Sequence, residues 1–189
     1  MRSINNIIPA VAARRSIRSF ADTPVEREKL WRCVEAAGMA PSAENVKPCR
    51  FLIIDKKEKK DSFLKDVTSG IYRHTRWALS APVICVLFAE TDTKTHVFGS
   101  LLQGIPFQVL DIGIAGEHFV LQAAHMGIGT CWIGWFNRKK AEKYLKLPRK
   151  YHVYSLIALG YRKSDIPSAP RKRTSVKDIA VFNDPTTMF

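Results

Sequence analysis

Acidic residues are scarce in this chain: 17 Asp and Glu stand against 30 Lys and Arg, a formal net charge of +13 over 189 residues. A surface of that sign attracts anions, whether nucleic acid, anionic lipid, a phosphorylated cofactor or an acidic protein. The basic residues are nevertheless spread along the chain. The densest run, Lys56-Lys57-Glu58-Lys59-Lys60, reads more simply as a solvated loop or helix start than as a binding patch, so no nucleic-acid partner is expected. Cysteine is also sparse. Cys33, Cys49, Cys85 and Cys131 include no C-x-x-C pair, which leaves zinc or iron–sulfur ligation poorly supported. Cys33, Cys85 and Cys131 lie in apolar runs, where a free cysteine behaves as a small buried hydrophobe. A reducing compartment is the simpler assumption, and a cytoplasmic location is expected. No apolar run is long enough to span a bilayer, so no membrane partner is expected. The stretch 6–13 weakly mimics a signal peptide, but its apolar part is short and it reads as a first helix.

Several catalytic signatures are missing too. Gly127-Ile128-Gly129-Thr130 follows a helix and lacks the third glycine of a dinucleotide fingerprint; a helix stop and tight turn explain it. None of His74, His96, His118, His125 and His152 forms an H-x-x-x-H pair. Ser42 follows a proline but lacks the G-x-S-x-G elbow, and nothing else supports hydrolase chemistry. No internal repeat or domain boundary is visible.

What is present is an ordinary globular balance, 46% hydrophobic and 25% charged, which suits one domain over residues 1–189. Ile4, Ile7, Ile8 and Val11 follow helical spacing interrupted by Pro9. Thr23, Pro24 and Glu26 form a T-x-x-E capping box before a helix with Leu30, Trp31 and Val34 on its apolar face and Gly38 at its end. Residues 50–54 read as a strand, 59–69 as a helix, and 82–89 as a strand apolar enough to be buried on both faces. Residues 90–106 are a long excursion of the kind often used as a lid. Residues 108–126 form a long helix, apolar on most sides, which belongs in a core or a large interface. A strand at 130–134, a helix at 138–145 and a strand at 154–159 complete an α+β or mixed α/β chain.

Arg14-Arg15-Ser16-Ile17-Arg18 places three guanidinium groups and one hydroxyl within five residues. Arginine suits phosphate because its planar fork donates two hydrogen bonds at once. Arginines also gather at helix C-termini, where they oppose the dipole. Taken alone, the segment supports both readings.

Residues 14–20 resemble the R-R-S-x-R-x-F opening of the nitroreductase family. Residues 40–48 resemble its A-P-S-x-x-N-x-Q-P loop. Residues 123–134 resemble the exit of its central helix and the G-L-G-T-x-W-I-G strand. Residues 157–161, followed by Arg171-Lys172-Arg173, resemble its last strand and basic tail. The four matches are collinear and cover most of the chain. The resemblance implies an α+β, three-layer fold with a mixed, mostly antiparallel sheet flanked by helices. It implies a tightly bound FMN, and an obligate homodimer with the long central helix at its interface and a flavin at each subunit interface. It implies electrons from NADH or NADPH passed in a two-step exchange to a nitroaromatic, a quinone or a similar small-molecule acceptor. Under it, Arg14, Arg15 and Ser16 hold the phosphate and ribityl chain, and Arg18 approaches the pyrimidine edge. Pro41, Ser42 and Asn45 reach the flavin of the other subunit, the backbone at Ile133 and Gly134 faces its reactive nitrogen, and Arg171 and Arg173 close on the phosphate. No acid–base side chain need be catalytic. Lys47 and Cys49 stand where the family commonly has Gln and Trp, and Trp135 where a small residue is frequent. In the stretch 68–77, Tyr72, Arg73, His74 and Arg76 are candidate ligands without a clean match. Other expectations kept open are dehydrogenation, dehalogenation or flavin destruction on the same fold, electron supply by an acidic redox protein such as ferredoxin, a flavin-binding protein without turnover, and a basic nucleic-acid-binding module.

Overall fold

The computed structural model describes residues 7–91, 104–163, 174–175 and 178–183. Four strands make one sheet in the order β1 (Cys49–Ile54), β2 (Val83–Glu90), β4 (Tyr151–Gly160), β3 (Gly129–Ile133). All three ladders are antiparallel. The sheet becomes mixed through one parallel bridge, Ser16 to Thr130, beyond β3. Helices α2 (Arg27–Gly38) and α4 (Phe107–His125) cover one face. Helices α3 (Lys57–Val67) and α5 (Arg138–Tyr144) cover the other, together with a 3-10 segment over Gly70–Ser80. A short α1 (Pro9–Ala13) packs on α4. The arrangement is the three-layer α+β fold expected.

The alternation of β2 explains the layers. Val83, Cys85 and Leu87 face α2 and α4, while Ile84 and Val86 face α3 and the 3-10 segment, so the strand is apolar throughout because both its faces are buried. The central helix is held close to the sheet by Gly116. A Cβ there would overlap the Trp132 ring and sit 2.9 Å from Leu87 Cδ2. Phe119 of α4 stacks on Phe51 of β1 at 5.6 Å between centroids.

Two local expectations are corrected. Pro9 does not interrupt the first helix; it occupies the first helical position, where its missing N–H costs nothing. Ile4 lies outside the described residues. The capping box does not form: α2 starts at Arg27, and Glu26 makes no side-chain cap bond. Its carboxylate instead accepts from Tyr161 Oη at 2.5 Å and Lys29 Nζ at 2.9 Å. Strand and helix bounds otherwise fall within a few residues of those expected. The lysine run starts α3, but its last member, Lys60, is buried at 2% exposure.

Candidate functional site

Residues 14–20 cross the β3 edge of the sheet. Ile17 N donates to Thr130 O at 2.9 Å, and Ala21 N donates to Tyr161 O at 2.8 Å. Gly129 permits the approach, because a Cβ on it would lie 2.8 Å from Ile17 Cγ1. Arg14 is the C-cap of α1, its N–H bonded to Ala10 O at 2.9 Å, and beyond it the segment is extended backbone tied to β3, so the helix-end reading applies to Arg14 and Arg15 but not to Arg18. Arg14 Nε lies 3.3 Å from Glu117 Oε1 on α4. Ser16 and Arg18 are exposed. The Arg18 guanidinium lies 5.8 Å from the centroid of the Trp77 ring, within cation–π range.

The far end of β3 leads to Ile133, which is buried, and Gly134, which is exposed and has open space within 4 Å of the point where a Cβ would stand. From Thr130 to Gly134 the strand rises about 13 Å, so cations and open backbone lie along one elongated edge. Trp135 follows, 53% exposed. Its Nε1 donates a long hydrogen bond of 3.4 Å to Ile71 O, and its ring meets Tyr72 at 5.5 Å and His74 at 6.0 Å. The 3-10 segment therefore joins the same edge at two places, through Trp77 under Arg18 and through residues 71–74 around Trp135.

Both ends of that segment are clamped. Lys140 Nζ donates to Asp66 Oδ1 at 2.9 Å and Ser69 Oγ at 3.0 Å, while Lys60 Nζ donates to Leu79 O at 2.9 Å. Three residues per 3-10 turn divide it into rows. Thr75 and Ala78 are buried, Ile71, His74 and Trp77 lie toward the β3 edge, and Gly70, Arg73 and Arg76 are exposed.

Pro41, Ser42 and Asn45 sit in a separate loop over the first turns of α4. Ala43 N donates to the buried Asp111 Oδ1 at 3.0 Å, and Lys47 N donates to Ser42 Oγ at 2.9 Å. Glu44, Asn45 and Lys47 adopt φ of 50°, 57° and 49°, left-handed values that side-chain-bearing residues enter at a cost. The loop lines a cavity of about 290 Å³ with Cys49, Phe51 and Ala115. In one copy the loop meets α4 at Asp111 and the arginine segment meets it at Glu117, six residues or about 9 Å apart along the helix. Arg171 and Arg173 lie outside the described residues.

Burial disfavours the thiolate form of all four cysteines. Burial pushes the Cys33 and Cys49 thiols up to about 12, and the Cys85 thiol well above the usual range. Cys131 is also raised by burial, against a lowering pull from Arg18, Ser16 and Arg14. Among the described residues no three His, Cys, Asp or Glu side chains form a metal site, and no helix is long and apolar enough to cross a membrane. Ser16 and Arg18 thus lie along the β3 edge, with the exposed Gly134 at its far end. Asp111 and Glu117 went unread in the sequence, although they are the only acidic residues of α4 and that isolation could have flagged them.

A sequence model of the nitroreductase family matches residues 11–161. The chain is 30% identical to a nitroreductase family protein of Clostridium novyi, with 82% of this chain and 84% of that one covered at a TM-score of 0.72. It is 28% identical to an FMN-dependent nitroreductase of Clostridium difficile, with 93% and 98% covered at a TM-score of 0.75. It is also 25% identical to an FMN reductase (NAD(P)H) of Bacillus subtilis over 97% of this chain and 78% of that protein.

Proposed function

The chain belongs to the nitroreductase family and is an oxidoreductase, and from that premise we propose that it uses FMN to carry electrons from NADH or NADPH to a nitroaromatic, a quinone or a similar small acceptor. The observation that carries the proposal is the β3 edge: an arginine-rich strand is bonded at one end, and an exposed glycine stands at the other. Relatives named for FMN and for NAD(P)H support the choice of cofactor and donor.

The residues present fit the cofactor. Arg14, Arg15 and Ser16 would bind its phosphate and ribityl chain, where charge-assisted hydrogen bonds are strongest. Arg18, propped on Trp77, would oppose negative charge at the pyrimidine edge. The backbone at Ile133 and Gly134 would orient the ring, and Arg171 and Arg173 would close on the phosphate. When bound, the flavin takes two electrons from the nicotinamide and yields them to the second substrate. The chain's own contribution is positioning and charge, with no side chain assigned to acid–base catalysis.

Pro41, Ser42 and Asn45 are assigned to the flavin of a second copy. On α4, Val109, Leu110 and Ile114 are 47%, 53% and 39% exposed, an apolar stripe that a homodimer would cover. This reading also gives the left-handed loop a role, since strain of this kind persists where a ligand or partner uses it.

Titrating flavin-stripped protein with FMN and with riboflavin tests the assignment. FMN should bind about a hundredfold more tightly, the worth of two charge-assisted bonds to phosphate. Arg14→Gln should remove about tenfold of that difference. Equal affinity for the two flavins would reject the phosphate role of the segment.

A further inference from the structure

Arg14 and Arg18 are held in different ways. Arg14 is steered by a carboxylate, Glu117 on α4. Arg18 is exposed and makes no hydrogen bond or ion pair with a described residue. Its contact is with Trp77, whose ring centroid lies 5.8 Å from the guanidinium carbon. Its charge is also felt on β3: burial raises the Cys131 thiol, and Arg18 pulls against that rise. The guanidinium therefore stands close both to the Trp77 ring and to β3. Trp77 is itself anchored from behind. It packs against the core cluster that contains Phe63, Ile84 and Val86. Its carbonyl accepts from Ser80 Oγ at 2.8 Å, and the buried Lys60 holds Leu79 O, two residues on, at 2.9 Å. Tryptophan offers a cation the most favourable aromatic face, and a guanidinium can rest on it as a planar group.

Resting on the flavin reading above, we propose that Trp77 is a positioning residue: it holds Arg18 at the pyrimidine edge and thereby raises the reduction potential of the bound FMN. Reduction by two electrons and one proton, all from the nicotinamide, adds one negative charge to the flavin. A guanidinium already in place favours that charge without reorganising. The same group swinging in solvent is screened by water and salt and favours it less. Trp77 touches neither donor nor acceptor in this account and acts through Arg18 alone. The clamp of Lys60 on Leu79 O keeps the ring in register with the arginine.

The test is the midpoint potential of the FMN holoprotein, measured anaerobically by equilibration with a redox dye. Trp77→Leu keeps apolar bulk and removes the ring. It should weaken the binding of reduced relative to oxidised FMN by about tenfold, a fall of about 30 mV for a two-electron couple. Trp77→Phe keeps a ring face for the cation and should stay within about threefold of the parent. Arg18→Gln should lower the potential at least as far as Trp77→Leu, and adding Trp77→Leu to it should lower the potential no further. In the unaltered holoprotein the Arg18 Nε–H should be ordered in nitrogen relaxation, with an order parameter of about 0.85 and not below about 0.6. That arm requires no variant to fold. The proposal is overturned if Trp77→Leu leaves the potential where it was, or lowers it equally with and without Arg18. It is also overturned if Trp77→Phe falls as far as Trp77→Leu, or if the Arg18 group is mobile in the parent. The two levels fail differently. A protein that takes up no FMN rejects the flavin reading, whereas one that holds a reducible FMN at a potential indifferent to Trp77 rejects this proposal alone.

Discussion

At Gly116 a single missing methyl lets the central helix rest on the sheet, and two opposing effects make the position diagnostic. Helix propensity alone favours Gly116→Ala by about 1 kcal/mol. Overlap with Trp132 and Leu87 should reverse the sign and destabilise the fold by about 1–3 kcal/mol, read from urea unfolding. Lys60 offers a second case. Its ammonium bonds Leu79 O and Asp61, so Lys60→Ala should cost about 1–3 kcal/mol by leaving a partly buried carbonyl without its donor. Glu26 sets a pH test. Hydrogen bonds from Tyr161 and then Lys29 hold its carboxyl at about 2, below the ordinary 4.5. A depressed folded value means that the stabilisation is present above about 4.5 and is lost as pH falls toward about 2. Glu26→Gln should therefore flatten the loss of stability across that window in an acid titration followed by circular dichroism. The same residue shows what local sequence hides. Thr23 and Glu26 have the spacing of a cap, but the partner that wins the carboxylate lies 135 residues away. Arg14, Arg15, Ser16 and Arg18 were legible as candidate anion ligands. Where they lie was not: Arg14 caps α1, and the bond from Ile17 to Thr130 carries Arg18 along the β3 edge, a tertiary fact.

Elements with strong periodicity were readable, and those without it were not. The strands announced themselves as apolar runs, and α4 as a helix apolar on most sides, because burial on two faces leaves few polar positions. The 3-10 segment Gly70–Ser80 left no such trace. Its inner row repeats every third residue and includes Thr75 and Ala78, which resembles neither an α-helical nor a strand pattern. It is nonetheless the element that brings Trp77 to Arg18 and Tyr72 to Trp135. Its clamps make a prediction at this scale. Lys140→Met removes the bonds to Asp66 and Ser69 and should speed amide exchange across residues 70–80. Because Lys140 is a partly exposed ion pair, global stability should fall by less than about 1 kcal/mol. Equal protection of the segment in variant and parent would show that the clamp holds nothing in place.

For the molecule as a whole, one chain presents the arginine edge and the 41–45 loop at different positions along α4, and the apolar stripe on α4 lies open. The proposed homodimer accounts for all three features together. Leu110→Asp with Ile114→Asp should leave the helical signal intact, yield monomers in sedimentation velocity, and weaken flavin binding at least about tenfold. A second copy's contribution is not legible in one sequence, because no residue pattern states which surface meets which; the exposed apolar side of α4 was the nearest sign of it. The net charge of +13 is a property of this scale as well, and it speeds the encounter with phosphorylated or anionic partners without selecting among them. The central claim is that this edge holds a redox-active FMN, and its most direct test is the visible spectrum of the protein reconstituted with FMN and titrated anaerobically with NADH or NADPH. The account predicts a yellow protein with one flavin per chain whose absorbance bleaches stoichiometrically with donor and returns on adding a quinone. A colourless protein that takes up no FMN, or a bound flavin that neither nicotinamide reduces, would contradict it.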